Sequence, residues 1–271
     1  MSTPRVLVFD SGVGGLSIAA CLHAAMPSVS LTYLADTAGF PYGDQSEETV
    51  IARCVALIER LMAQEPVDLV VVACNTASTV VLPALRERLQ VPVVGVVPAI
   101  KPAAALSENR RLGVLATPAT VRRPYTEDLI QRFAADCEIA RVGHPGLVRW
   151  AEAKVGGRPV PLAELAEAVR PLADAGVDTV VLGCTHYPLI RDELAQVLPE
   201  VRYWVDSGDA IARRVRYLLD EAERLVDGCE VSPMNARFSG PVPREFETVL
   251  NGLGLRAGRV DGGWPEGFAP P

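Results

Sequence analysis

The sequence predicts an α/β protein built as two similar doubly wound α/β lobes with pseudo-two-fold symmetry and the active site in the cleft between them. Three observations carry this expectation. Short apolar runs alternate with amphipathic segments of helical length, the pattern of parallel sheets flanked by helices. The runs are dominated by Val, Leu and Ile without polar alternation, as strands buried on both faces require. One phrase is also said twice: residues 67–74 read Val-Asp-Leu-Val-Val-Val-Ala-Cys, and residues 177–184 read Val-Asp-Thr-Val-Val-Leu-Gly-Cys. The two cysteines are separated by 184 − 74 = 110 residues, a domain-sized interval.

Each element follows in order. Val6–Phe9 is a first buried strand, and it runs into Asp10-Ser11-Gly12-Val13-Gly14-Gly15 and an apolar helix from Leu16 to about Met26. Glycines there allow a tight turn and close approach of a ligand, and amides at a helix start face anions. The loop has neither the Lys-Ser/Thr of a phosphate loop nor the dinucleotide-binding spacing. Leu31–Ala35 is a second strand ending at Asp36, followed by a turn-rich loop from Thr37 to Asp44 with two aromatics and an acid. Residues 46–64 read as an amphipathic helix capped by Ser46, with Cys54 in its core face. The first thiol strand is followed by a polar turn, Asn75–Ser78, and a helix from about Thr79 to Leu89. Val93–Val97 closes this run before Pro98.

The pattern then restarts. Residues 99–110 are a helix and turn, and Leu112–Ala116 repeats the opening strand, ending in Thr117-Pro118-Ala119-Thr120. A helix runs to about Ala135, a strand covers 138–142, and segment 144–154 carries Leu147, Trp150 and Glu152. A helix at 161–175 leads into the second thiol strand, with a helix at 189–197 and a strand at 201–205 after it. Asp209 to Val226 is a long helix with Arg213, Arg214 and Arg216 on its polar side. A strand at 235–239 and a short helix at 243–251 precede a Gly- and Pro-rich tail, Ala257 to Pro271, expected to be a loose surface segment. The expected division is 1–98 with 208–255 as the first lobe, 99–207 as the second, and 256–271 as the tail.

Composition bounds the function. The 271 residues are 49% hydrophobic and 22% charged, which excludes a wholly disordered chain. A net charge of −7 argues against nucleic-acid or membrane surfaces as partners. Six cysteines without a Cys-x-x-Cys pair suit neither a disulfide scaffold nor structural zinc. The three histidines are scattered, and no metal-ligand spacing is present. No apolar stretch is long enough to cross a membrane, and the chain opens directly on a strand. A cytoplasmic protein with reduced thiols is the expectation.

A cysteine at the carboxyl end of a buried strand stands where open α/β sheets bind ligands. A thiolate is a base, and a thiol is an acid. Two matched thiols therefore suit stereoinversion, one removing a proton from one face of a carbon and the other protonating the opposite face. A cycling Cys74–Cys184 disulfide and a non-catalytic binding module are the alternatives. The disulfide needs Cα atoms within about 7 Å, leaving no room for substrate. Pyridoxal phosphate would need a lysine at a strand end, whereas the chain's lysines are Lys101 and Lys154, so a cofactor-free route fits better.

The motifs Phe9-Asp10-Ser11-Gly12-Val13-Gly14-Gly15-Leu16-Ser17, Pro41-Tyr42-Gly43, Ala73-Cys74-Asn75-Thr76-Ala77-Ser78 and Leu182-Gly183-Cys184-Thr185-His186-Tyr187-Pro188 closely resemble the glutamate racemases of the aspartate/glutamate racemase superfamily. They occur in the family's order across about residues 5–255. Ser17 stands where that pattern often has Thr. The resemblance implies cofactor-independent interconversion of L- and D-glutamate, supplying D-glutamate for peptidoglycan, with Cys74 and Cys184 as the paired acid/base residues. It further implies that Asp10 and His186 tune the thiols. Asp10, Ser11, Pro41, Tyr42, Gly43, Asn75, Thr76, Thr185 and His186 are implied to hold the substrate. Asp36, Thr117, Thr120 and Glu152 are further positions near the site. A small-molecule substrate is the expected partner, a homodimer is left open, and an aspartate or related racemase is the alternative within the superfamily.

Overall fold

The computed structural model describes residues 3–225 and 231–268. The chain divides into two compact units, Met1–Val96 with Gly208–Pro271, and Val97–Ser207. Each is a parallel sheet flanked by helices, as the buried apolar runs require.

The first unit is built on β1 (Arg5–Asp10), β2 (Ser30–Ala35), β3 (Leu69–Val72) and β4 (Val93–Gly95), with α1 (Leu16–Ala25), α2 (Glu47–Met62) and α3 (Asn75–Arg88) as crossovers. The second contains α4 (Ile100–Leu106), β5 (Arg111–Ala116), α5 (Pro118–Arg122), α6 (Pro124–Phe133), β6 (Glu138–Gly143), α7 (Pro145–Val155), α8 (Leu162–Asp174), β7 (Thr179–Leu182), α9 (Arg191–Val197) and β8 (Tyr203–Val205). The chain returns to the first unit through α10 (Gly208–Glu221), β9 (Met234–Phe238), α11 (Phe246–Gly252) and β10 (Ala257–Asp261).

The four-stranded sheet runs β6-β5-β7-β8, and the six-stranded sheet contains the same order as β2-β1-β3-β4, extended by β9 and β10 on the β2 side. The repeat extends to register. Val8 lies beside Val71 in β1 and β3, and Val114 lies beside Val181 in β5 and β7. Two strands diverge from β1 to opposite sides, and two from β5. The carboxyl ends of β1/β3 and of β5/β7 are therefore the topological switch points at which open α/β sheets bind ligands.

Several boundaries differ from the sequence reading. Asn75–Ser78 is no turn: α3 begins at Asn75, with the Ser78 amide donating to the Cys74 carbonyl at 2.9 Å. The helix expected through Ala135 is cut into α5 and α6, because Arg123 precedes a proline and takes extended backbone. The helix expected at 189–197 is a 3₁₀ turn, Tyr187–Ile190, followed by α9. The long helix expected from Asp209 to Val226 is α10, which ends at Glu221; Val226 itself lies outside the described residues.

The largest correction concerns the tail. Ala257–Asp261 is a strand, paired parallel to β9. The Arg259 amide donates to Asn235 Oδ1 at 2.9 Å, and Arg237 on β9 pairs with Asp261. Gly258 makes this possible, since a Cβ there would lie 2.5 Å from Asn235 Oδ1. Glycine here marks a close strand approach rather than looseness. Trp264 and Phe268 beyond it pack on the core cluster that contains Leu57, Val72 and Tyr42. Residues 269–271 of the expected tail lie outside the described residues.

Candidate active site

In both units the thiol leaves its strand at the same register. The Ala73 amide donates to the Phe9 carbonyl at 2.7 Å, and the Gly183 amide donates to the Leu115 carbonyl at 2.7 Å. Cys74 and Cys184 follow directly, each 6% exposed.

In the first unit, Asp10 ends β1 fully buried, and its Oδ1 accepts the Gly12 amide at 2.7 Å. The Tyr33 hydroxyl donates to the Gly12 carbonyl at 2.6 Å. These two bonds set the glycine-rich loop. Gly15 lets that loop and α1 settle on the sheet, because a Cβ there would meet Asp10 Cβ at 2.8 Å and Ala73 Cβ at 3.0 Å. The loop brings the Ser11 hydroxyl to 3.7 Å from Cys74 Sγ. Cys74 is the N-cap of α3, a 14-residue helix, and Asn75 and Thr76 form its first turn, both buried. Amides of a first helical turn have no intrahelical acceptor and favour negative charge beside them. Asn75 Oδ1 is buried without a hydrogen-bond partner.

The loop between β2 and α2 carries Pro41, Tyr42 and Gly43. Tyr42 is turned into the core: it is 2% exposed, and its hydroxyl donates to Asp36 Oδ2 at 2.6 Å. Asp36 is wholly buried and also engages Arg53 and Ser239. Burial works to raise its carboxyl pKa, but the Arg53, Ser239 and Tyr42 hydrogen bonds outweigh that and hold it below the ordinary value of 3.8. Its oxygens face these neighbours. Arg53 and Ser239 were missed in the sequence, where Arg53 reads as one more polar residue of an amphipathic helix.

In the second unit, Cys184 is followed by Thr185 and His186, both buried. His186 Nδ1 lies 3.7 Å from Cys184 Sγ, and Nε2 lies 2.7 Å from Glu152 Oε1 on α7. Burial alone would lower the imidazole pKa, yet the hydrogen bonds to Cys184 and Glu152 push it well above 6.5. The ring thus stands between the thiol on its Nδ1 side and the carboxylate on its Nε2 side, and both partners favour the protonated imidazole. The His144 imidazole caps α7 by accepting the Gly146 amide at 3.1 Å. Lys154 on the same helix donates to the Leu189 carbonyl at 2.9 Å, tying α7 to the turn after His186. At the end of β5, Thr117 caps α5 by accepting the Thr120 amide at 3.2 Å, and its hydroxyl lies 2.9 Å from that of Thr120.

Within the first unit the structure gathers Asp10, Ser11, Cys74, Asn75 and Thr76. Within the second it gathers Cys184, Thr185, His186 and Glu152. A hollow of about 500 Å³ lined by Leu172, Val177, Leu198 and Arg202 lies at the amino ends of β7 and β8, the opposite end from Cys184. Among the described residues no group of three or more His, Cys, Asp or Glu side chains is placed to hold a metal ion, and no helix is long and apolar enough to cross a membrane.

The model of the Asp/Glu/Hydantoin racemase family matches residues 16–215. The glutamate racemase of Vibrio cholerae serotype O1 is 53% identical over 218 residues, 80% of this chain and 82% of the relative. That of Klebsiella pneumoniae is 53% identical over 249 residues, 91% of this chain and 87% of the relative. Among solved structures, Escherichia coli glutamate racemase in complex with L-glutamate and the activator UDP-MurNAc-Ala superposes with a TM-score of 0.87 at 46% identity, covering 96% of this chain and 99% of that one. The chain belongs to the Asp/Glu/Hydantoin racemase family, among its glutamate racemases, and is an isomerase.

Proposed function

We propose that this enzyme interconverts L- and D-glutamate without a cofactor, using Cys74 and Cys184 as two bases. The observation that carries this is the repeated strand end: two thiols leave equivalent strands at equivalent register, each beside a device that favours a thiolate. In one direction, one thiolate takes the α-proton and the other thiol donates its proton to the opposite face of the carbon. In the reverse direction the roles exchange, so each turnover moves one proton in and one out, and no electrons are gained or lost.

The remaining roles follow from hydrogen-bonding capacity. Hydroxyls of Ser11, Thr76 and Thr185 and the amides opening α3 suit the substrate's carboxylates, and Asp10 accepts from its ammonium. Tyr42 and Gly43 contribute main-chain amides, since the Tyr42 hydroxyl is committed to Asp36. Thr117 and Thr120, at the switch point beside Cys184, are assigned the rim of the same site. Donors around the α-carboxylate stabilise the carbanion-like transition state. Glu152 holds His186 in place and supports its charge.

Incubation of L-glutamate in deuterated water should put deuterium at Cα as optical rotation decays. Cys74→Ala and Cys184→Ala should each abolish turnover; near wild-type racemisation by either would rule out the two-base assignment. Aspartate in place of glutamate should exchange far more slowly. We also infer that the D-glutamate supplies peptidoglycan synthesis in the cytoplasm. The Escherichia coli relative, whose complex contains a muramic acid nucleotide named as activator, supports this. Rescue of a D-glutamate auxotroph by the intact gene, and not by the Cys74→Ala gene, is the test.

A further inference from the structure

Asp36 joins parts of the first unit that lie far apart in the chain. Its Oδ2 accepts from Arg53 Nε at 2.6 Å and from the Tyr42 hydroxyl at 2.6 Å. Its Oδ1 accepts from Arg53 Nη2 at 2.7 Å and from the Ser239 hydroxyl at 2.6 Å. Ser239 Oγ in turn accepts the Ala38 amide at 2.9 Å, and the Gly240 amide donates to Thr37 Oγ1 at 2.9 Å. The loop from Thr37 to Asp44 is thus held from below by a carboxylate and from the side by the turn after β9. Gly39 is the contact point, because a Cβ there would lie 2.4 Å from Arg53 Nε and 2.6 Å from Asp36 Oδ2. From the chain's far end, the Phe268 ring covers the guanidinium, its centroid 5.4 Å from Arg53 Cζ.

A buried ion pair is a poor way to gain stability, because desolvation offsets its attraction. It is a good way to fix orientation, because the forked guanidinium accepts one geometry. Here the fixed object is Tyr42, and through it the main chain of Tyr42-Gly43.

We propose that Arg53 is a positioning residue for substrate binding, acting through Asp36 and Tyr42, and that the C-terminal segment completes the clamp by laying Phe268 on Arg53. The inference rests on the glutamate-racemase reading. The clamp never touches the reacting carbon, so it sets substrate affinity rather than the chemical step. Arg53→Lys keeps the charge and loses the fork. It should raise KM for glutamate about tenfold with kcat within about twofold of wild type. Phe268→Ala, at the edge of the fold, should raise KM about threefold, and Phe268→Tyr should restore it by returning an aromatic face.

KM, kcat and melting temperature are measured for all three variants. Lower melting temperatures with unchanged KM would show a purely structural pair and overturn the proposal, as would equal KM values for Phe268→Ala and Phe268→Tyr. If Arg53→Lys does not fold, the two Phe268 variants decide. Wild-type exchange of deuterium into glutamate separates the levels: its presence with unmoved KM values sinks only the clamp, whereas its absence sinks the racemase reading and the clamp with it.

Discussion

The two units deliver the same group by the same strand and then support it by different means. In the first, Cys74 caps a 14-residue helix, so the support is main-chain amides that carry no titratable proton in the working pH range. In the second, Cys184 is followed by a 3₁₀ turn and a seven-residue helix, and the support is His186 backed by Glu152. One thiol has a device indifferent to pH, the other a device with its own proton. Duplication of a strand pattern therefore does not give the two thiols the same surroundings. The same holds at the other strand ends. Asp68 and Asp178 occupy equivalent positions in the repeated phrase, yet Asp68 accepts the Arg5 amide and pairs with Arg224, while Asp178 accepts the Ser107 hydroxyl and the Glu108 and Asn109 amides.

The largest effect should separate the thiols most clearly. His186→Asn should lower kcat/KM about a hundredfold. The loss should be equal for L- and D-glutamate, because the enantiomers have the same free energy and the enzyme cannot shift their balance. Peptide-resolved alkylation against pH should show the Cys184 profile changed and the Cys74 profile unmoved. Superimposable wild-type profiles for the two thiols would remove the comparison.

Next is stability against pH, where the units should fail at opposite ends. Asp36 is held below its ordinary pKa, so its contribution is present above about pH 3.8 and lost as pH falls through the folded value. His186 is held above 6.5, so its contribution is complete below that pH and lost as pH rises through the folded value. At neutral pH Asp36→Asn should cost about 3–5 kcal/mol by leaving Arg53 buried and unpaired. Thermal unfolding across pH should show the acid limb flattened in Asp36→Asn and the alkaline limb flattened in His186→Asn. Unchanged limbs would show that neither group titrates with folding.

The smallest effect tests the residue before each thiol. A Cβ on Gly183 would meet Ala116 Cβ at 3.0 Å and the Leu115 carbonyl oxygen at 3.1 Å. Gly183→Ala should cost about 1–3 kcal/mol by overpacking and should slow turnover by moving Cys184. Ala73→Gly in the first unit should cost only about 0.5–1 kcal/mol, because it removes a methyl and adds backbone freedom. Equal losses by chemical denaturation would mean that the two strand ends are packed alike.

The strands and the thiols were legible because their signals are local. Val-Val-x-x-Cys is apolar in a run too short for a helix, and its recurrence marks equivalent positions whatever surrounds it. Asn75–Ser78 misled because Asn, Thr and Ser favour turns and helix starts alike, and only the Ser78-to-Cys74 hydrogen bond decides between them. The tail misled for a related reason: Gly258 reads as flexibility in isolation and as a tight strand contact once Asn235 is beside it. Asp36 was visible as an acid at a strand end, but its partners Arg53 and Ser239 lie 17 and 203 residues away.

The sequence by itself determined the α/β class, the duplicated strand, the two thiols and the family, because each resides in contiguous residues whose periodicity and identity need no distant partner. Only the tertiary structure decided that α3 starts at the thiol, that His186 meets Glu152, that Tyr42 turns inward onto Asp36, and that the C-terminal segment is a strand with an aromatic cap. These depend on which side chains meet across the fold, and a hydrogen bond or ion pair is set by that meeting rather than by the order of residues along the chain.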